Sequence, residues 1–335
     1  MHRPLFFRLA AASLLAFVTT ALAAPTPAHA DAAADVREIR TGALPLRHEW
    51  LGWDGAGHAH LRTLACSPGG TTSCRAAFVE VRPDAPNRLT PLLDVNEVYC
   101  SKGEGCSALD RKTVLAFEAA EKKGLAALPA GLAATPAATD TAGALGPLAG
   151  EPTRVEITAF ETNGDLGALS VQLVLRGKGG ATETLAILDS YARTVEKERV
   201  VDAHVSQDGA AAVFVATIAT TMMCWDFQSL HVVGVNVPRR RASLANTIGF
   251  RAWKKGDMAA ALAGFSEATQ EDATFGLGWY NRAAVESRTG AVAAAAASFG
   301  KAVALDPKAT ARACRDADFR ALRAADPALL RCTGK

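Results

Sequence analysis

The stretch GDMAAALAGFSEATQED, residues 256–272, returns 34 positions later as GAVAAAAASFGKAVALD, residues 290–306. Gly256 falls on Gly290, Ala261 on Ala295, Phe265 on Phe299, Ala268 on Ala302 and Asp272 on Asp306. Each copy opens on a glycine that can close one helix at positive φ, then sets small and aromatic side chains at helical spacing. A unit of this period cannot bury its own apolar face and must stack on a neighbour. The sequence therefore predicts helical hairpins over 242–307. A third helical stretch, Thr310 to Leu330, would close the stack with Phe319, Leu322, Leu329 and Leu330. The other end would dock on whatever precedes it.

The residues of the repeat resemble the tetratricopeptide repeat family. Gly249, Gly256, Ala261, Phe265 and Ala268 match its pattern in the first unit. Trp279, Asn281, Gly290, Ala295, Phe299, Ala302 and Pro307 match it in the second. Ala245 stands where the family usually has a large aromatic, and Ala273 where it has a closing proline. The resemblance implies a groove, formed by the first helix of each hairpin, in which an extended or helical peptide docks. By register its positions are Asn246, Phe250, Trp253, Asn281 and Arg282. Replacing Asn281 and Arg282 would then weaken partner capture with little change in Tm.

Upstream the period changes to that of strands. From about Leu44 to Leu93, short alternating runs such as Arg75 to Val81 are separated by turns. Ser107 to Leu125 reads as a helix. Residues 126–152 are a connector of Ala, Gly, Pro, Thr and Leu. Beyond it, Arg154 to Glu161 and Leu169 to Arg176 read as an antiparallel pair, and four further strands run to Val237. Ser206-Gln207-Asp208-Gly209 is similar to the turn that opens strands in TolB-like propeller blades. The expected class is multidomain α+β, with antiparallel sheets first and an all-α hairpin array last. The divisions fall at 1–30, 31–125, 126–152, 153–238 and 242–335.

The first thirty residues read as an export signal. Arg3 and Arg8 precede the uncharged apolar run Leu9 to Ala24, and Ala28-His29-Ala30 supplies small residues for cleavage after Ala30. Residues 31–40 read as a loosely ordered start. Nothing later is apolar for long enough to span a bilayer. The mature chain is expected to be periplasmic or secreted, where nearby cysteines pair. Cys66 with Cys74, Cys100 with Cys106, and Cys314 with Cys332 are the candidate disulfides; Cys224 is left as a small buried side chain. Zinc held by Cys66, Cys74, Cys100 and Cys106 is the rival reading, but their gaps are wider than in usual zinc pairs.

The 335 residues carry 36 Lys and Arg against 34 Asp and Glu. The net charge of +2 lies in the signal, as Arg3 and Arg8. The remainder is neutral, which does not suit a nucleic-acid-coating protein. No phosphate loop, nucleophile elbow or acid pair stands out, and no cofactor is assigned. His58 and His60 share one strand face, with His48 as a conceivable third ligand; surface histidines beside a turn are the plainer reading, and no metal is assigned. Arg239-Arg240-Arg241, with Arg251, Lys254 and Lys255 after it, reads as a solvated linker and helix face. The expectation is an exported, non-enzymatic adaptor that binds a protein or peptide of the cell envelope through its groove. The alternatives are an exported hydrolase or glycan-binding protein whose site lies in the β-rich part, and a structural envelope protein.

Overall fold

The computed structural model describes residues 31–40, 45–67, 72–83, 85–98, 100–101, 105–106, 109–135, 147–148, 151–161, 169–192, 194–222, 225–330 and 332. The expected signal at 1–30 and Cys224 lie outside the described residues. The chain is α+β, with antiparallel sheets first and helices last.

Three meanders make the β part. Sheet 1 is β1 (Leu46–Trp53), β2 (Ala59–Ser67), β3 (Thr72–Val81) and β4 (Arg88–Val98), paired in that order. Two short pairs follow, β5 (Cys100–Ser101) with β6 (Gly105–Cys106) and, later, β7 (Pro147–Leu148) with β8 (Glu151–Pro152). Sheet 2 is β9 (Arg154–Glu161), β10 (Leu169–Arg176) and β11 (Thr182–Ala192), with β10 central. Sheet 3 is β12 (Thr194–Val205), β13 (Ala211–Met222) and β14 (Trp225–Asn236), with β13 central. The β12–β13 turn is tight because Gly209 takes φ +70° and the Ser206 hydroxyl is held between Asp208 and Ala211.

Sheet 3 is the middle layer, and β13 shows why. Residues 211–216 are all buried, an unbroken apolar run of the kind that suits a strand covered on both faces. Ala211, Val213 and Val215 pack on Trp53, Leu61, Val79 and Val81 of sheet 1. Ala212 and Phe214 face the other way, onto Val155, Leu173 and Leu175 of sheet 2. The sheets thus stack as layers.

The outer face of sheet 1 is covered by α1 (Ala32–Arg40) and α2 (Arg111–Ala127). The loosely ordered start expected at 31–40 is instead helix α1, with Ala32, Val36 and Ile39 buried. Charge holds it there. Arg62 of β2 pairs with Asp35 of α1 and, at 2.7 Å, with Glu121 of α2, while Arg47 pairs with Asp35 and Glu38. Glu121 also accepts the Ala32 backbone N–H at 2.9 Å. The connector starts in order as well: Ala133 bridges Trp53, and Gly52 at φ +129° leaves no room for a Cβ, which would lie 2.8 Å from the Ala133 carbonyl.

Cys66 and Cys74 are cross-strand partners joined as a disulfide, which removes them from any zinc site. Cys314 and Cys332 are also bonded. Cys100 and Cys106 sit opposite each other on β5 and β6, and their side chains lie outside the described residues.

The helical part is α3 (Val237–Lys254), α4 (Met258–Glu271), α5 (Gly276–Arg288) and α6 (Val292–Leu305), followed by α7 (Ala309–Ala313), α8 (Arg320–Ala325) and α9 (Pro327–Leu330). The bounds of α6 are those of α4 moved by 34 residues, and α5 ends 34 residues after α3. Gly256 and Gly290 close α3 and α5 at φ +80° and +82°. Close approach of α3 and α4 needs Gly249 and Gly264: a Cβ on Gly249 would meet the Phe265 ring at 2.8 Å, and one on Gly264 the Gly249 backbone at 2.7 Å. Phe319, Leu322 and Leu330 pack onto Tyr280, Ala283 and Phe299, so the C-terminal helices cover α5 and α6.

At the other end, Val237, Ala242, Leu244 and Ala245 of α3, with Ala268 and Phe275, share one buried cluster with sheets 2 and 3. Arg239-Arg240-Arg241 belongs to a helix face, as expected, and not to a linker. These residues form the first turns of α3, capped by the Asn236 side chain. Arg239 pairs with Asp272, Arg240 with Glu183 of β11 and Arg241 with Glu271.

Candidate functional site

Asn246, Phe250 and Trp253 recur every three or four residues and so share one face of α3. Asn281 of α5 donates to Asn246 Oδ1 at 2.8 Å, joining the two helices. Phe250 is exposed and stacks on Trp253, with ring centroids 5.4 Å apart and planes 14° apart. Cations flank the pair. The Lys254 ammonium lies 4.9 Å from the Phe250 ring and the Arg288 guanidinium 5.9 Å from Trp253.

The closing segment reaches this platform. Trp253 donates its indole N–H to Asp318 at 3.1 Å, and Arg288 pairs with the same carboxylate at 3.0 Å. Nothing in the local pattern of α3 pointed to Asp318 or Arg288, because they meet Trp253 only through the fold. Leu277, near the start of α5, adds another exposed apolar side chain.

Arg282 is held elsewhere. It bonds the buried Glu286 carboxylate at 2.8 Å and lies 5.5 Å from the Trp279 ring. Asn246 is buried too, so both Asn281 and Arg282 satisfy groups inside the fold. Their replacement is therefore expected to lower Tm, contrary to the expectation from register. Phe250 is the exposed member of the five positions.

In the β part, His58 and His60 share a face, and both reach the Asp54 carboxylate, at 3.5 and 3.0 Å. His60 is buried, so the pair is not simply a surface feature. Burial opposes ionisation of Asp54, yet hydrogen bonds from His60 and the His58 and Ala56 amides hold its carboxyl below the usual range. His48 lies apart from them, with Nε2 2.8 Å from Asp202 Oδ2.

Burial pushes the imidazoles of His48, His204 and His231 below their ordinary value, with nearby carboxylates offsetting only part of the effect. A histidine held neutral in the fold stabilises it above about pH 6.5, and that contribution is lost as pH falls through the depressed folded value. We expect Tm to drop between about pH 7.5 and about pH 5, above the range where most carboxylates titrate. A Tm constant across that window would contradict the burial of these rings.

No protein-family model matches the chain, no curated protein matches its sequence, and no solved structure matches its fold. No helix among the described residues is long and apolar enough to cross a membrane. The Cys66–Cys74 and Cys314–Cys332 disulfides are compatible with a periplasmic or extracellular protein.

Proposed function

We propose that the chain is an exported, non-enzymatic adaptor whose α3–α5 face captures a peptide segment of a protein in the cell envelope. The observation that carries this reading is the exposed Phe250 ring, stacked on Trp253 between Lys254 and Arg288. An aromatic anchor flanked by cations suits an apolar side chain with a neighbouring carboxylate. The resemblance of residues 242–307 to tetratricopeptide repeats supports the same face, since that family binds peptides along the first helix of each hairpin. Export, with cleavage after Ala30, is part of the proposal, and the disulfides fit it.

The test is Phe250→Asp. The side chain is 41% exposed, so the variant should keep its Tm within about 2 °C. It should lower recovery of a crosslinked envelope partner at least about tenfold, as expected for loss of an aromatic anchor. Recovery equal to wild type would refute the groove.

A further inference from the structure

A polar group lies between sheets 1 and 3 that the adaptor reading does not use. His48 comes from β1, and Asp202 and His204 from β12. One ligand atom from each lies within 4.8 Å of the other two. His48 Nε2 and Asp202 Oδ2 are already 2.8 Å apart. A register shift between Val200 and Asp202 in β12 marks the place, as irregular pairing often does beside sites.

The second observation concerns His204. The residue is 3% exposed, and among the described residues its ring nitrogens meet only the Thr135 backbone, so at least one of them has no hydrogen-bond partner. Buried polar atoms are seldom left that way without a reason. The ring is fixed by stacking on Trp50, at 3.8 Å between centroids and 2° between planes. Its position is thus set by packing, while one ring nitrogen stays unused beside His48 and Asp202.

We propose that His48, Asp202 and His204 form a binding site for one divalent ion of the zinc class. Two imidazoles and one carboxylate are the donor set of borderline ions, whereas calcium and magnesium favour shells of oxygen. Ligands about 2.0–2.2 Å from a tetrahedral zinc stand roughly 3.4 Å apart. A cluster within 4.8 Å reaches that spacing by small side-chain rotations, and Asp202, at the more open edge, is the member free to turn. Three protein ligands leave one position open. Asp202 is the most exposed of the three, with a third of its side chain open to solvent, so the ion would have a route in past it.

The test uses the full chain, dialysed against a chelator and titrated with Zn²⁺, then with Co²⁺ as a visible probe. The proposal expects about one ion per chain, a rise in Tm with Zn²⁺, and Co²⁺ absorption typical of a low-coordinate nitrogen and oxygen site. Asp202→Asn and His204→Gln should each weaken Zn²⁺ binding at least about tenfold, while His58→Gln leaves it unchanged. Should His204→Gln fail to fold, Asp202→Asn still decides, because it keeps the side-chain shape at a partly exposed position. Binding no tighter in wild type than in Asp202→Asn would overturn the proposal. So would binding lost in His58→Gln and retained in Asp202→Asn.

Discussion

Replacing Arg62 by Met is expected to remove about 3–5 kcal/mol of stability, measured by urea unfolding. Arg62 is buried with Asp35 and Glu121, the three side chains being 4%, 3% and 8% exposed. Three charges out of water are tolerable only because each acid has a cation and further hydrogen bonds. Glu121 also accepts from Ala32, and Asp35 also pairs with Arg47. Met fills much of the same volume but leaves two carboxylates short of their partner. The loss should fall on α1 first, because its hold on sheet 1 runs through Asp35. In a background carrying Asp35→Asn and Glu121→Gln, the same substitution should cost less than about half as much, since little charge is then stranded. A loss below about 1 kcal/mol in the native background would show that the network is not what seats α1.

The second large effect is expected at Phe214. Phe214→Ala should cost about 3–5 kcal/mol, whereas Phe214→Leu, which keeps most of the volume, should cost far less. Phe214 is fully buried on the middle strand of the middle sheet, facing Leu173 and Leu175 across the layer boundary. The same cluster holds Val237, Ala242 and Leu244, so the cavity would also lie beneath the start of α3. Neighbouring layers could close it only by moving together. Equal melting of the Ala and Leu variants would contradict tight packing between sheets 2 and 3.

Local pattern made much of this fold readable. The 34-residue offset located helices whose bounds recur at that spacing. Alternation located β9 and β10 as an antiparallel pair, and loop length located the Cys66–Cys74 disulfide. What stayed hidden depends on contacts distant in sequence. Residues 31–40 do place Ala32, Val36 and Ile39 at helical spacing, but α1 is too short to stand alone and is held by Arg47, Arg62 and Glu121. Arg239, Arg240 and Arg241 looked like a free basic run because their acids come from two distant places, Glu183 from β11 and Glu271 and Asp272 from the end of α4. His48 meets Asp202 and His204 only because β1 and β12 face each other across stacked sheets. The unbroken apolar run of β13 did carry the signal of a strand buried on both faces, but not which sheets would cover it.

The shared face of α3 and α5 was readable in part. Asn246, Phe250 and Trp253 do share a face, and Asn281 joins it through Asn246. Arg282 turns instead to Glu286. Spacing along a helix gives the face a residue lies on, but not which of two nearby partners its long side chain will take.

The most direct measurement is site-specific photocrosslinking in the native envelope, with the photoreactive side chain placed at position 250 or, as control, at Leu115 on α2. Both positions are exposed, at 41% and 54%, and they lie on different elements. The adaptor account predicts a discrete protein adduct from position 250 that is absent from position 115. Identical adducts from both positions, or none from position 250, would contradict it.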